Sequence, residues 1–161
     1  IKIKQNIYIK AEIDKIWAYL TDFTHSLSFN RFHTSINIPN SYSLSNLDKF
    51  KINHNFGFGN YEMVGELVDY LPPHRLSISE YCPDDPAKGF PHLIIFEVEA
   101  KLKKCKLTYS ISGTYGGRVQ DMSFKPILKG VIKEEILKIK HAIESSETLN
   151  KHIISKSIEP I

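Results

Sequence analysis

One long amphipathic stretch near the C-terminus, Phe124 to Glu144, constrains this chain more than any other feature. At about 100° per residue, Phe124, Ile127, Leu128, Val131, Ile132, Ile136, Ile139, Ala142 and Ile143 share one broad face, with Gly130 and the lysines mostly outside it. Pro126 is tolerated in the first turn, where its missing N–H has no partner to lose. The residues from 145 to 161 are less regular and are read as a tail, either a short extra helix or a mobile end.

Most of the chain before that helix repeats with period two. Ile1, Ile3, Ile7 and Ile9 alternate with Lys2, Lys4, Asn6 and Tyr8, which predicts a strand with one buried face. From Ala11 to Thr21 the period changes, and Ile13, Ile16, Trp17 and Leu20 fall at helical spacing. A second short helical turn is expected over Thr24 to Phe29, with Thr24 as its cap. Strands then return around Phe50 to Phe56, Tyr61 to Leu71, Arg75 to Tyr81, His92 to Ala100 and Leu107 to Ile111. Gly57-Phe58-Gly59-Asn60 and Pro72-Pro73-His74 are the turns between them, and Gly65 is expected to mark a bulge or bend.

The order is therefore strand, short helices, six antiparallel strands, long helix. It predicts an α+β domain over residues 1–144, a curved antiparallel sheet of about seven strands wrapped around the C-terminal helix. A strongly twisted sheet rarely packs flush on a single helix, so a cavity is expected between them.

Charge and composition narrow the partners. The net charge is only +3, the lysines are spread along the strands, and the three arginines (Arg31, Arg75, Arg118) are far apart. Nucleic-acid surfaces cluster arginine and lysine, so no nucleic acid is expected. No apolar run approaches the ~20 residues that span a bilayer, so no stable membrane insertion is expected and the cytoplasm is the default. Cys82 and Cys105 form no CxxC and suggest no disulfide framework.

Several local strings resemble those of the START-like superfamily of polyketide cyclase/dehydrase and lipid-transport domains, the helix-grip fold (SRPBCC). They are Ile16-Trp17-Ala18-Tyr19-Leu20-Thr21-Asp22-Phe23, Phe29-Asn30-Arg31-Phe32, and Val68-Asp69-Tyr70-Leu71-Pro72-Pro73-His74-Arg75-Leu76. Phe29 stands where the family often has Trp. The likeness runs from about Ile1 to Glu144 and rests on packing and turns rather than on chemistry. It implies a hydrophobic cavity for a lipid, polyketide, steroid or hormone, in a superfamily that also holds enzymes and co-chaperone domains.

Polar residues in phase with inward-facing positions are the candidates for a site. His54 shares the phase of Phe50, Ile52 and Phe56, and Glu80 that of Leu76 and Ile78. His92 begins the series that includes Phe96, Tyr109 lies between Leu107 and Ile111, and Glu135 falls in the helix stripe near Leu128 and Val131. These eight, His54, Glu80, His92, Phe96, Tyr109, Leu128, Val131 and Glu135, are the candidate ligand-binding residues. A carboxylate buried alone costs several kcal/mol or stays protonated, so Glu135 asks for a partner, water or a ligand.

Each candidate also has a plainer reading. His54 and His92 lie near strand ends and reach water, Glu80 sits at a rim, and Glu135 faces a cation such as Arg118. No HxH, HxxxH or HExxH spacing exists, so scattered histidines, no metal and no cofactor are expected. The leading functional expectation is a carrier or sensor of a small hydrophobic ligand, with Leu128, Val131 and Glu135 facing an open volume. The alternatives are a cyclase/dehydratase-type lyase without metal, and an interaction module like the Hsp90 activators. The enzyme requires at least two of the polar candidates within reach of one point.

Overall fold

Period-two alternation becomes a seven-stranded, fully antiparallel sheet in the computed structural model, which describes residues 1–39 and 42–156, the last ten by backbone alone. The elements in chain order are β1 (Lys2–Ile9), α1 (Ile13–Thr21), α2 (Phe23–Ser26), β2 (His33–Asn37), β3 (Phe50–Asn55), β4 (Asn60–Leu71), β5 (Arg75–Tyr81), β6 (His92–Lys101), β7 (Lys104–Gly113) and α3 (Arg118–Lys156). Spatial order is β1-β7-β6-β5-β4-β3-β2, a meander whose first strand returns to pair with the last. Ile3 meets Ile111 and Ile9 meets Cys105 in that pairing. The sheet curls as a half-barrel around α3.

Helix α3 buries Phe124, Leu128, Val131, Ile132, Glu135, Ile136, Ile139 and Ile143 against the concave face. Each fully buried aliphatic side chain of this kind contributes roughly 1.5–3 kcal/mol. Ile127, expected on the same stripe, is 57 % exposed, because it falls on the edge that turns away from the sheet. The helix is also longer at both ends than its apolar stripe. It starts at Arg118, where Asp121 in the first turn accepts hydrogen bonds from the Tyr115 N–H (2.7 Å) and the Thr114 hydroxyl (3.0 Å). Pro126 therefore lies inside the helix and not in its first turn. At the other end the backbone stays helical from 145 to 156, so the stretch expected to be a short extra helix or a mobile end continues α3 as far as Lys156.

Three further local expectations are corrected. Helix α2 spans Phe23–Ser26, and Thr24 does not cap it; its hydroxyl donates instead to Asp22 (3.0 Å). Gly65 marks no bulge: the register shift lies between Leu67 and Asp69, and a Cβ at Gly65 would stand 2.6 Å from the Phe50 ring. Six strands do follow the short helices, and the one not placed from the sequence is the first of them, β2, whose weak alternation hid it.

The cavity expected between sheet and helix is largely filled. Phe96 and Tyr109, rings 4.6 Å apart, occupy its centre. A space near Phe32, His54, Phe90 and Leu128 encloses about 10 Å³, at most the room of one water. Leu128, Val131 and Glu135 are all buried beneath α3, and Leu128 borders this small space. Among the described residues no helix is long and apolar enough to cross a membrane.

Candidate functional site

Strand register sets two polar pairs facing inward. His33 on β2 lies opposite His54 on β3, and Glu80 on β5 lies opposite His92 on β6. The curl of the sheet closes the two pairs on each other. Glu80 Oε2 stands 2.8 Å from His54 Nε2, 2.9 Å from His92 Nε2 and 3.5 Å from His33 Nε2. Glu80 is fully buried, and the three imidazoles are only 2, 1 and 3 % exposed for His33, His54 and His92.

The far nitrogens are anchored to backbone. Nδ1 of His33 lies 2.6 Å from the Leu27 carbonyl, that of His92 lies 2.6 Å from the Phe90 carbonyl, and that of His54 lies 3.3 Å from the Ile52 carbonyl. A carbonyl only accepts, so each Nδ1 donates its proton outward and leaves Nε2 to face Glu80.

Burial acts against charge throughout this quartet. Burial raises the Glu80 carboxyl, but His92, His33 and His54 outweigh it and hold the group well below the ordinary carboxylate range. Burial lowers His33, yet the Glu80 carboxylate carries it above its ordinary value. His54 is lowered by burial, which Glu80 only partly offsets.

A second buried polar group borders the first. Glu135 on α3 accepts a hydrogen bond from the Asn30 side-chain amide (3.1 Å), and the Tyr109 hydroxyl lies close to both, although among the described residues neither it nor Glu135 Oε1 makes a hydrogen bond of ordinary geometry. Burial raises the Glu135 carboxyl to about 7, opposed by the nearby His33 and reinforced by Glu80. The Tyr109 hydroxyl is raised well above its ordinary value by burial and by Glu135.

Aromatic rings close the route from this interior to solvent. Phe90 stacks on His92 (4.9 Å) and on Tyr115 (4.4 Å), and Phe56 stacks on His54 (5.2 Å). Phe124 touches Tyr115 at 4.0 Å and forms, with Tyr115, Phe58 and Ile127, the wall of a surface groove of about 390 Å³. The buried hydroxyl of Tyr115 has no hydrogen-bond partner among the described residues.

The candidate residues therefore separate. His54, Glu80 and His92 converge, against the expectation that they lie at rims or reach water. The histidines are not scattered either: the spacing test saw only neighbours in sequence, whereas antiparallel pairing joins residues of different strands. Glu135 pairs with Asn30 and not with Arg118, while Phe96, Val131 and Leu128 are core, the last beside the quartet. Sequence reasoning missed His33 and Asn30. His33 opens a strand that went unseen, and Asn30 sits in the Phe29-Asn30-Arg31-Phe32 string, read as packing alone.

No protein-family model matches the chain, and no curated protein matches it. Solved structures do. A conserved protein from Geobacillus kaustophilus is 18 % identical with a TM-score of 0.67, over 91 % of this chain and 97 % of that one. The Aha1 dimer from Colwellia psychrerythraea is 19 % identical with a TM-score of 0.60, over 89 % and 96 %. The di-domain ARO/CYC StfQ from the steffimycin biosynthetic pathway is 12 % identical with a TM-score of 0.67, over 91 % of this chain and 51 % of that one. At these identities the likeness speaks to architecture alone, and the chain shares the helix-grip fold of these proteins, a curled antiparallel sheet around a long C-terminal helix.

Proposed function

We propose that this domain binds a small, mostly apolar molecule at the groove formed by Phe58, Tyr115, Phe124 and Ile127. The observation that carries the reading is the groove itself. Its volume of about 390 Å³ lies in the range of small-molecule sites, and Phe58, Tyr115 and Phe124 give it a largely aromatic wall. Aromatic rings link the groove to the quartet: Phe124 packs against Phe90 (6.0 Å) and Phe56 (6.4 Å), which line the inner space. Rotation of these rings would admit the polar end of a ligand to His54 and His92.

Titration with a fluorescent fatty acid tests it. Saturable one-to-one binding is expected, lost in Ile127→Glu with an unchanged melting temperature, since Ile127 is largely exposed. Absence of binding, or binding indifferent to Ile127→Glu, overturns the groove as the seat.

A second reading is favoured by one observation: His54 and His92 meet the same Glu80 oxygen, which satisfies the geometric condition for acid–base chemistry. In a cyclase or dehydratase, Glu80 would orient the imidazoles and one of them would move the proton. Extraction of co-purified small molecules from wild type and from Glu80→Gln separates the readings. An enzyme leaves different masses in the two proteins, and a carrier leaves the same mass.

A further inference from the structure

We propose that His33, His54, His92 and Glu80 form a binding centre for one divalent transition-metal ion of the zinc class. The inference stands apart from the groove, since a metal centre could exist whether or not a ligand binds there.

Proton accounting is the first argument. The three Nδ1 atoms donate to the carbonyls of Leu27, Ile52 and Phe90. In neutral imidazoles the Nε2 atoms then carry lone pairs, and all three point at a carboxylate oxygen, which carries lone pairs as well. Hydrogen bonds at 2.8 and 2.9 Å need protons that neutral rings and a carboxylate do not have. Full protonation of the rings would supply them, but it would place three cations around one anion in a site closed to water. A single dication satisfies all four groups at once, three neutral imidazoles and one carboxylate balancing to +1.

The donor set and its surroundings are the second argument. Donor atoms of His33, His54 and Glu80 lie within 4.8 Å of one another, whereas His92 Nε2 stands outside that group and reaches it only through Glu80 Oε2 at 2.9 Å, from where it would complete the set as the ion is bound. Three imidazoles and a carboxylate match the nitrogen-and-oxygen preference of zinc, iron, nickel and copper. Metal-bound histidines usually donate their other ring N–H to a carbonyl or carboxylate, and that outer shell is already in place here. Glu80 Oε1 is buried with no hydrogen-bond partner among the described residues, which leaves a lone-pair oxygen of the carboxylate uncommitted beside the three imidazoles. Aromatic contacts to Phe56 and Phe90 hold His54 and His92 in orientation.

The test uses the whole protein, stripped with a chelator and titrated with cobalt(II), then zinc(II). We expect one equivalent of cobalt to bind with the visible d–d bands of four-coordinate geometry, displacement by zinc, and a zinc-dependent rise in melting temperature. His54→Ala and Glu80→Gln should weaken binding at least tenfold, while His25→Ala and His141→Ala, at exposed positions, leave it unchanged. No one-to-one binding, or binding lost with His25 or His141 and kept without His54, overturns the proposal. Should the interior variants fail to fold, X-ray absorption on zinc-loaded wild type decides: three imidazoles support the centre, and fewer overturn it.

Discussion

Asn30 donates its side-chain amide to Glu135 Oε2 at 3.1 Å, while its own carbonyl oxygen accepts the Phe32 N–H at 2.9 Å. The pair ties the segment entering β2 to the middle of α3, and both residues are buried. Asn30→Ala would leave Glu135 without its donor and the Phe32 N–H without its acceptor. Each orphaned group costs about 1–3 kcal/mol. A loss on the order of 2–4 kcal/mol is expected in urea unfolding, combining these terms non-additively. A loss below about 0.5 kcal/mol, the level of an ordinary surface change, would show that the bond contributes nothing.

Glu135 also sets an expected pH dependence. Its ordinary value of 4.5 becomes about 7 in the folded chain, with His33, Tyr109 and Glu80 as its ionisable neighbours. Between those values the folded state holds a proton that the unfolded state has lost. Stability therefore falls as pH rises through that window and stays lowered above it, by on the order of 3 kcal/mol. Glu135→Gln does not titrate, so the variant should gain on wild type from pH 5 to pH 8 by about that amount. Against burial, His33 is raised in the fold chiefly by Glu80 but also by Glu135, so Glu135→Gln lowers the His33 contribution as well, and the same comparison in a His33→Gln background isolates the Glu135 effect. Parallel pH-stability curves for the two proteins would refute the assignment.

Legibility in the sequence followed the range of the signal. Strand and helix periods are local, so β1, β3 to β7, α1 and the centre of α3 could be read directly, and the inward phase of His54, Glu80, His92 and Glu135 came with them. The partners of those residues were not legible, because they depend on the curl of the sheet. Glu80 reaches His54 two strands away, and no spacing along the chain encodes that. The interior was misjudged for a related reason: residue phase says which side chains face inward, and not whether Phe96 and Tyr109 fill the space they face.

Gly65 offers a test of packing at the sheet. Phe50 pairs opposite Gly65, and its ring lies over the glycine, so a Cβ there would meet ring atoms at 2.6 and 2.7 Å. The backbone is not in the left-handed region, so the demand is for space and not for conformational freedom. Gly65→Ala should cost about 1–3 kcal/mol through displacement of the ring. Adding Phe50→Leu should make the alanine itself nearly neutral, a coupling that thermal melts of the four proteins in the cycle would reveal. Additive losses would place the strain elsewhere.

The seat of a ligand is separable from the core by two substitutions of one kind. Val131 is 5 % exposed and faces the filled interior, whereas Ile127, one turn earlier, is 57 % exposed on the groove wall. Tryptophan at 131 has no volume to enter, and overpacking of that sort costs about 1–3 kcal/mol or more. Tryptophan at 127 extends into the groove and should leave the melting temperature close to that of wild type. If the groove binds the ligand, Ile127→Trp reduces affinity for a fluorescent fatty acid at unchanged stability, and Val131→Trp destabilises before it affects binding. The opposite pattern, a stable Val131→Trp that no longer binds, would mean that the space beneath α3 opens in solution and receives the ligand there.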